Sequence, residues 1–524
     1  MAPLRGWPAR LLAIAAGLAA GLVHPPFGIL PGLLGYTLML ALIDAPGPRP
    51  LRSAFFRGWL CGLGYFAVGV WWIVEPFMVD AREQGWMAPI ALVLMAGGLA
   101  LFWGGAALAH RVLRPRGAAR VLTFAGALAG FEWLRGHIFT GFPWDLPGES
   151  WRAGSAPSQA AAVLGAYGLT WITLAIAASP ALLADARASR RARIGTMLAA
   201  LAALGALYGW GDVRLLQTAR PGPDAPLIRV VQANIDQKSK WRPENLPAIF
   251  DTYQALTLRA GAARPDLIVW PEGDLPAVID DLLAPGSDYA VRFKNLLAPG
   301  QTLLLGANRA EPAAGGEPRY FNSLVALRRD DSALRVVGRY DKYRLVPFGE
   351  YMPLGTLAAR VGFRSLVHMP DDFTAGPAPR PMTAAGLPPV QPLICYEALF
   401  PGFTRAAAAR AGLRPAWILN ISNDAWFGLG SGPLQHLNIA SYRAIEEGLP
   451  IVRATPTGVS AVIDAYGRTT PGARLGLGTL GIIDAALPPA LPPTPFSKTG
   501  DLLFWMMLAL SGATGLAGKF ANRD

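Results

Sequence analysis

Three short segments of this chain hold side chains able to do covalent chemistry, and each follows an apolar run. Trp270-Pro271-Glu272-Gly273 comes directly after DLIVW (266–270), the segment RYDKYRLVPFGE (339–350) carries Lys342, and LICYE (393–397) carries Cys395. A cysteine attacks as its thiolate, so it needs a partner that takes the thiol proton or steadies the charge. Histidine is the usual partner. Of His24, His110, His137, His368 and His436, only the last two lie in the same part of the chain as Cys395, and neither stands in a recognisable motif. A glutamate base with a nearby lysine is the other solution: Glu272 takes the proton and the Lys342 ammonium stabilises the developing oxyanion. Taken singly, each residue has a plainer reading: a cysteine packing as a small hydrophobe, a solvated strand-end carboxylate, a surface lysine.

The elements that must position these groups are legible around them. Leu227–Ile235, Asp266–Trp270, Thr302–Ala307, Ser323–Leu327, Val390–Ile394 and Ala416–Ile421 read as buried strands, and 243–262 and 433–448 have helical periodicity. Strands alternating with helices predict an α/β domain over about 221–490, with reactive groups at the carboxyl ends of strands. This stretch holds 26 Lys/Arg and 24 Asp/Glu, so it is nearly neutral. Pro-rich patches at 374–392 and 488–495 read as loops or linkers, and no repeat of 20–50 residues stands out. The glycine-rich 428–432 lacks the spacing of a dinucleotide fingerprint, and there is no P-loop and no His-rich metal motif, so no cofactor or metal is expected.

The remaining chain is of another kind. The protein is 52% hydrophobic and only 16% charged, against about 25% charged in soluble domains. Apolar runs of near-bilayer length fall at about 8–24, 28–44, 54–73, 86–108, 119–135, 158–184, 193–210 and 500–518. The first run also fits a cleaved signal peptide, but the runs that follow it at once favour a membrane span. If the runs alternate from a cytoplasmic N-terminus, the inner segments carry fifteen basic residues against Asp44, Asp185 and Asp524, while the short outer loops carry Arg82, Arg135 and Arg152. That is a positive-inside pattern, with both termini cytoplasmic and the α/β domain on the other side. The net charge of +12 is then a topology signal and not a nucleic-acid footprint. Cys61 reads as packing inside the third run, and Glu132 with Arg135, near the water boundary, as a pair or a headgroup contact. Two cysteines make no disulfide framework.

WPEG, DKYRLVPFGE and ICYE, in that order, resemble the nitrilase superfamily of carbon–nitrogen hydrolases over roughly 225–470, and NISNDAWFG (420–428) adds to the likeness. With the eight runs and Gly141-Phe142-Pro143-Trp144, nearly the whole chain resembles the apolipoprotein N-acyltransferases of the bacterial inner membrane. The resemblance implies a helical membrane domain of about eight spans (1–212, with a last span in 498–524) and a periplasmic α-β-β-α sandwich (221–490). It implies a Glu272–Lys342–Cys395 triad, with Glu350, Tyr396, Glu397 and Trp241 supporting it or binding substrate. The donor would be a phospholipid, chiefly phosphatidylethanolamine, and the acceptor the α-amino group of a diacylglyceryl-cysteine on an apolipoprotein. Trp426 and Phe427, and Tyr351–Leu354, are apolar enough to form a lid that dips into lipid. Two rival readings use the same residues: a membrane-anchored amidase, with water as acceptor, and a transporter with an extracytoplasmic domain. Against the transporter, the spans lack paired intramembrane charges and an inverted repeat.

Overall fold

The computed structural model of the 524-residue chain describes residues 6–45, 49–113, 115–186, 188–217, 220–312, 316, 318–353 and 372–520. Two compact units result. One comprises Met1–Thr218, Gly430–Glu446 and Pro493–Asp524, the other Ala219–Leu429 and Glu447–Pro492.

The first unit is helical. Each apolar run is built as helix: α1 (Trp7–Gly21), α2 (Leu34–Asp44), α3 (Pro50–Gly69), α4 (Ala88–Leu113), α5 (Ala119–His137), α6 (Ala161–Ala178, interrupted at Gly165) and α7 (Arg190–Leu215), with a final helix Leu502–Phe520. Large apolar side chains such as Leu94, Leu198 and Met506 point outward; water solvates such a surface poorly and lipid solvates it well. By length and composition, Ala81–Leu113, Pro157–Leu182 and Arg190–Leu215 can cross a bilayer, with a fourth if Pro50–Gly69 and Trp71–Met78, bent by 66°, form one span. Trp7–Gly21, Leu30–Asp44 and Leu502–Ala517 are apolar but shorter. The sequence count of eight therefore goes beyond what helix length and composition establish.

Several of the buried polar groups inside this unit are paired. Glu132 and Arg135 form an ion pair, and both side chains are fully buried within the protein. Trp103 donates to Glu132 Oε1 at 2.6 Å, and Arg135, beside Glu132, also donates to the carbonyls of Phe142 and Trp144. The pair thus builds the turn of the GFPW segment. The helix Ser431–Glu447 belongs to this unit as well. Its Arg443 meets Glu149 at 3.0 Å, Glu446 Oε1 accepts the Ala166 amide at 2.8 Å, and Asn438 donates to the Glu149 carbonyl at 2.9 Å.

The second unit is a sandwich of two six-stranded sheets. The strands are β1 (Leu227–Gln232), β2 (Leu267–Trp270), β3 (Thr302–Glu311), β4 (Arg319–Arg329), β5 (Leu334–Asp341), β6 (Met382–Ala384), β7 (Leu387–Ile394), β8 (Trp417–Ile421), β9 (Ile451–Ala454), β10 (Ser460–Ile463), β11 (Thr469–Leu475) and β12 (Gly481–Ala486). The sheets are ordered β12-β1-β2-β3-β4-β5 and β11-β10-β9-β8-β7-β6. In each sheet the three central strands, β1-β2-β3 and β7-β8-β9, run parallel, and antiparallel strands flank them. Alternation along the strands makes two cores. Val230, Val269, Leu304 and Leu324 meet Val390, Leu419, Ile421 and Val452 between the sheets. Val231, Ile268, Leu303 and Leu305 pack outward against the helices Leu246–Thr257 and Asp288–Leu296. All six strands expected from sequence are present.

Candidate active site

Three strand ends bring the reactive groups in. β2 stops at Trp270 because Pro271 has no amide to donate to the ladder, and Glu272 follows with 6% of its surface exposed. The neighbouring strand leaves room for it at Gly306: a Cβ there would lie 2.4 Å from the Pro271 carbonyl oxygen and 2.5 Å from Glu272 Cα. Lys342 is the first residue after β5, 1% exposed, and its amide bonds the Asn322 carbonyl of β4 at 2.8 Å. Cys395 is the first residue after β7 and opens a short helical turn, with φ of 48°. A β-carbon is disfavoured in that left-handed region, at a cost of roughly 1–3 kcal/mol. The strained turn swings the thiol off the strand direction.

The Lys342 ammonium sits between two carboxylates, 3.1 Å from Glu272 Oε1 and 2.9 Å from Glu350 Oε1. Asn322 donates to the same two oxygens, at 2.6 and 2.8 Å. The second oxygen of Glu272 accepts the Asn423 amide at 2.6 Å, and that of Glu350 accepts the Val346 amide at 2.9 Å. Burial alone would lower the Lys342 pKa; the negative charges of Glu272 and Glu350 outweigh it and raise it. Lys342 is therefore a fixed cation. Burial pushes the Cys395 thiol up and the charge of Glu272 adds to that, while Lys342 and a hydrogen bond with Ser422 pull it down. The resting group is the neutral thiol, and a base must remove its proton.

The remaining expected residues take different positions. Glu397 is turned inward: Oε1 accepts Tyr340 OH at 3.0 Å and the amides of Tyr343 and Arg344 at 2.8 and 3.3 Å, and Oε2 accepts the Ile394 amide at 2.9 Å. It ties the lysine segment to the cysteine segment. Burial pushes its pKa up to about 7 against the pull of the backbone donors. Tyr396 is buried and packs edge-on to Phe400. Trp241 is half-buried at the end of the turn Gln237–Lys240, one ring atom 4.0 Å from where a Gly273 side chain would begin, so it stands beside the WPEG turn. Trp426 and Phe427 are half-buried on the turn Asp424–Phe427. Tyr351, Met352 and Pro353 are also half-buried, while Leu354 and His368 lie outside the described residues.

Sequence reasoning passed over Asn322, and it quoted Ser422 and Asn423 within NISNDAWFG without giving either a role. The signal was present for the first, since asparagine is depleted in strands and Asn322 interrupts an apolar one. Among the described residues no group of His, Cys, Asp and Glu is arranged to hold a metal.

Both parts of the chain are similar to known proteins. The family described as apolipoprotein N-acyltransferase N-terminal domain matches residues 16–179, and the carbon-nitrogen hydrolase family matches 227–491. The apolipoprotein N-acyltransferase of Caulobacter vibrioides is 55% identical over 511 residues, covering 97% of this chain and 94% of that protein. That of Rhodopseudomonas palustris is 38% identical over 518 residues, covering 96% and 94%. Among solved structures, an amidase from Nesterenkonia sp. aligns with 55% of this chain and 97% of its own, at 18% identity and a TM-score of 0.36. With family matches on both the helical segment and the sandwich, and relatives this similar over nearly their full length, the chain belongs to the apolipoprotein N-acyltransferase family.

Proposed function

We propose that the protein moves a fatty acyl chain from the sn-1 position of a phospholipid, chiefly phosphatidylethanolamine, to the α-amino group of an apolipoprotein's N-terminal diacylglyceryl-cysteine. Family membership supports the overall reaction. The observation that carries the assignment of residues is the arrangement at the strand ends: a carboxylate and a fixed ammonium 3.1 Å apart, with a strained cysteine at the end of a strand in the facing sheet.

Glu272 takes the thiol proton as Cys395 sulfur attacks the ester carbonyl, and Lys342 steadies the tetrahedral oxyanion. Collapse expels the lysophospholipid alkoxide, which receives that proton from Glu272, and leaves a thioester on Cys395. The acceptor amine then loses a proton to Glu272 while attacking the thioester. Collapse expels the thiolate, which is reprotonated, and the amide departs. Two acyl transfers through one covalent intermediate give ping-pong kinetics. Glu350 holds Lys342 by its second ion pair, and Glu397 fixes the spacing of the lysine and cysteine segments. Tyr396 and Trp241 are assigned to substrate contact, and Trp426 and Phe427 to a lid.

The catalytic residues 221–490 are proposed to face the periplasm, between seven spans in 1–212 and one in 498–524, with both termini in the cytoplasm. The charge asymmetry of the loops supports this arrangement in an inner membrane.

Mass spectrometry after incubation with phosphatidylethanolamine tests the chemistry. Cys395 should gain one acyl group, a diacylglyceryl peptide should discharge it as an amide, and Cys395→Ser should gain none. Discharge by water with the peptide ignored would point to an amidase-type hydrolase and refute the transfer.

A further inference from the structure

Behind Cys395 lies a set of polar side chains that neither the triad nor its ion pairs employ. Ser422, Asp424, Asn420 and Arg453 all have no exposed surface. Arg453 on β9 donates from one nitrogen to Asn420 Oδ1 on β8 and from another to Asp424 Oδ2 at 2.6 Å. Asn420 in turn donates to the Leu393 carbonyl of β7 at 2.8 Å, two residues before the nucleophile. The other Asp424 oxygen accepts the Ser422 hydroxyl at 2.7 Å; Ile394 and Ile421 are register partners on the parallel strands β7 and β8, so Cys395 and Ser422 are the next residues on neighbouring strands, and Ser422 lowers the pKa of the thiol. The chain Arg453–Asp424–Ser422 therefore ends on the reacting sulfur.

Stability does not account for this chain. A fully buried ion pair roughly breaks even with well-packed apolar side chains, because desolvation offsets the attraction. The backbone also makes way for it: a Cβ on Gly458 would lie 2.6 Å from both Asp424 Cβ and Oδ2. A serine hydroxyl has one hydrogen to donate and two lone pairs. With the hydrogen on Asp424, a lone pair is left for the thiol S–H. Once Glu272 has taken the thiol proton, sulfur is an anion and an acceptor. The hydroxyl then rotates to donate to sulfur, and Arg453 still compensates Asp424. No covalent bond at Ser422 forms or breaks; only the direction of one hydrogen changes.

We propose that Ser422 is a further catalytic residue, whose hydroxyl donates to the Cys395 sulfur whenever it carries negative charge, on entry to and exit from the acyl-enzyme, with Asp424 and Arg453 positioning it. The proposal rests on Cys395 being the nucleophile. It agrees with the influences on that thiol, since burial, Glu272 and Asp424 push its pKa up while Lys342 and Ser422 pull it down.

The test is the pH dependence of Cys395 alkylation by iodoacetamide in the full-length, detergent-solubilised protein, which needs no lipid. Ser422→Ala should shift the curve upward by about one pH unit, roughly tenfold slower alkylation at a given pH, and Ser422→Thr should restore it. Gly458→Ala, which leaves Ser422 in place but displaces Asp424, should shift the curve the same way and decides the matter if Ser422→Ala does not fold. Unshifted curves in both Ser422→Ala and Gly458→Ala would overturn the proposal. Failure of wild-type Cys395 to take an acyl group from phosphatidylethanolamine would instead refute the acyl-transfer reading, leaving the alkylation result to judge Ser422 alone.

Discussion

At the scale of residues, the candidate site is a balance of charges out of water. Two carboxylates hold one ammonium, and the thiol beside them is kept neutral by burial. The sign of that shift fixes an expectation. A thiol pKa raised above its ordinary value of 9.0 leaves little thiolate at neutral pH, so alkylation of Cys395 should keep climbing through pH 9 without levelling. A plateau near pH 7 would contradict the burial. Glu397 gives a second expectation. Four donors converge on its carboxylate, and a glutamine offers one acceptor oxygen with an amide that must face a donor. Glu397→Gln should loosen the hold on Lys342 and lower kcat by roughly tenfold, the equivalent of ~1.4 kcal/mol, with little change in the donor KM. Steady-state kinetics showing an unchanged kcat would deny the tie. Glu272, Lys342 and Cys395 were legible because reactive types following apolar runs are uncommon and their order matched a family. Ser422 was not, because a serine after a strand has no chemistry until its neighbour in space is known.

At the scale of elements, what matters is how closely two strands approach. β3 passes the Pro271–Glu272 turn with no room for a methyl group at Gly306. Gly306→Ala should leave the sheet intact by circular dichroism but move Glu272 by a fraction of an ångström to an ångström. Misplacement on that scale can lower the rate about 100-fold, to be read as the rate of Cys395 acylation. A near-wild-type rate would mean the turn yields without cost. The six strands read from sequence were those whose residues are buried on both faces, giving continuous apolar runs. β5 was missed because it is a half-exposed sheet edge, interspersed with Arg335, Arg339 and Gly338. β9 was missed because it is four residues long with a buried arginine at its centre, the residue whose role appears only when Asp424 and Asn420 are beside it.

At the scale of the whole molecule, the chain divides into two compact units, and the helical one takes in Gly430–Glu446 from within the stretch read in sequence as the α/β domain. Glu132 and Arg135, read from sequence as a pair or a headgroup contact near the water boundary, are an ion pair with both side chains buried. Arg135→Met should strand the buried Glu132 and destabilise the solubilised protein by about 3–5 kcal/mol, seen as a lower melting temperature. The double change Glu132→Leu/Arg135→Met should recover part of that loss, and a double variant less stable than the single would contradict the pairing. The helix Ser431–Glu447 has a different consequence, in the order of assembly. Arg443 reaches a partner 294 residues earlier in the chain, and Leu502–Phe520 joins the same unit later still. A chain emerging from the ribosome thus makes the seven early helices first and must hold the loop around Glu149 open until residue 446 has been synthesised. The helical unit is completed by segments translated late in the message, so a truncated or stalled chain leaves it unfinished.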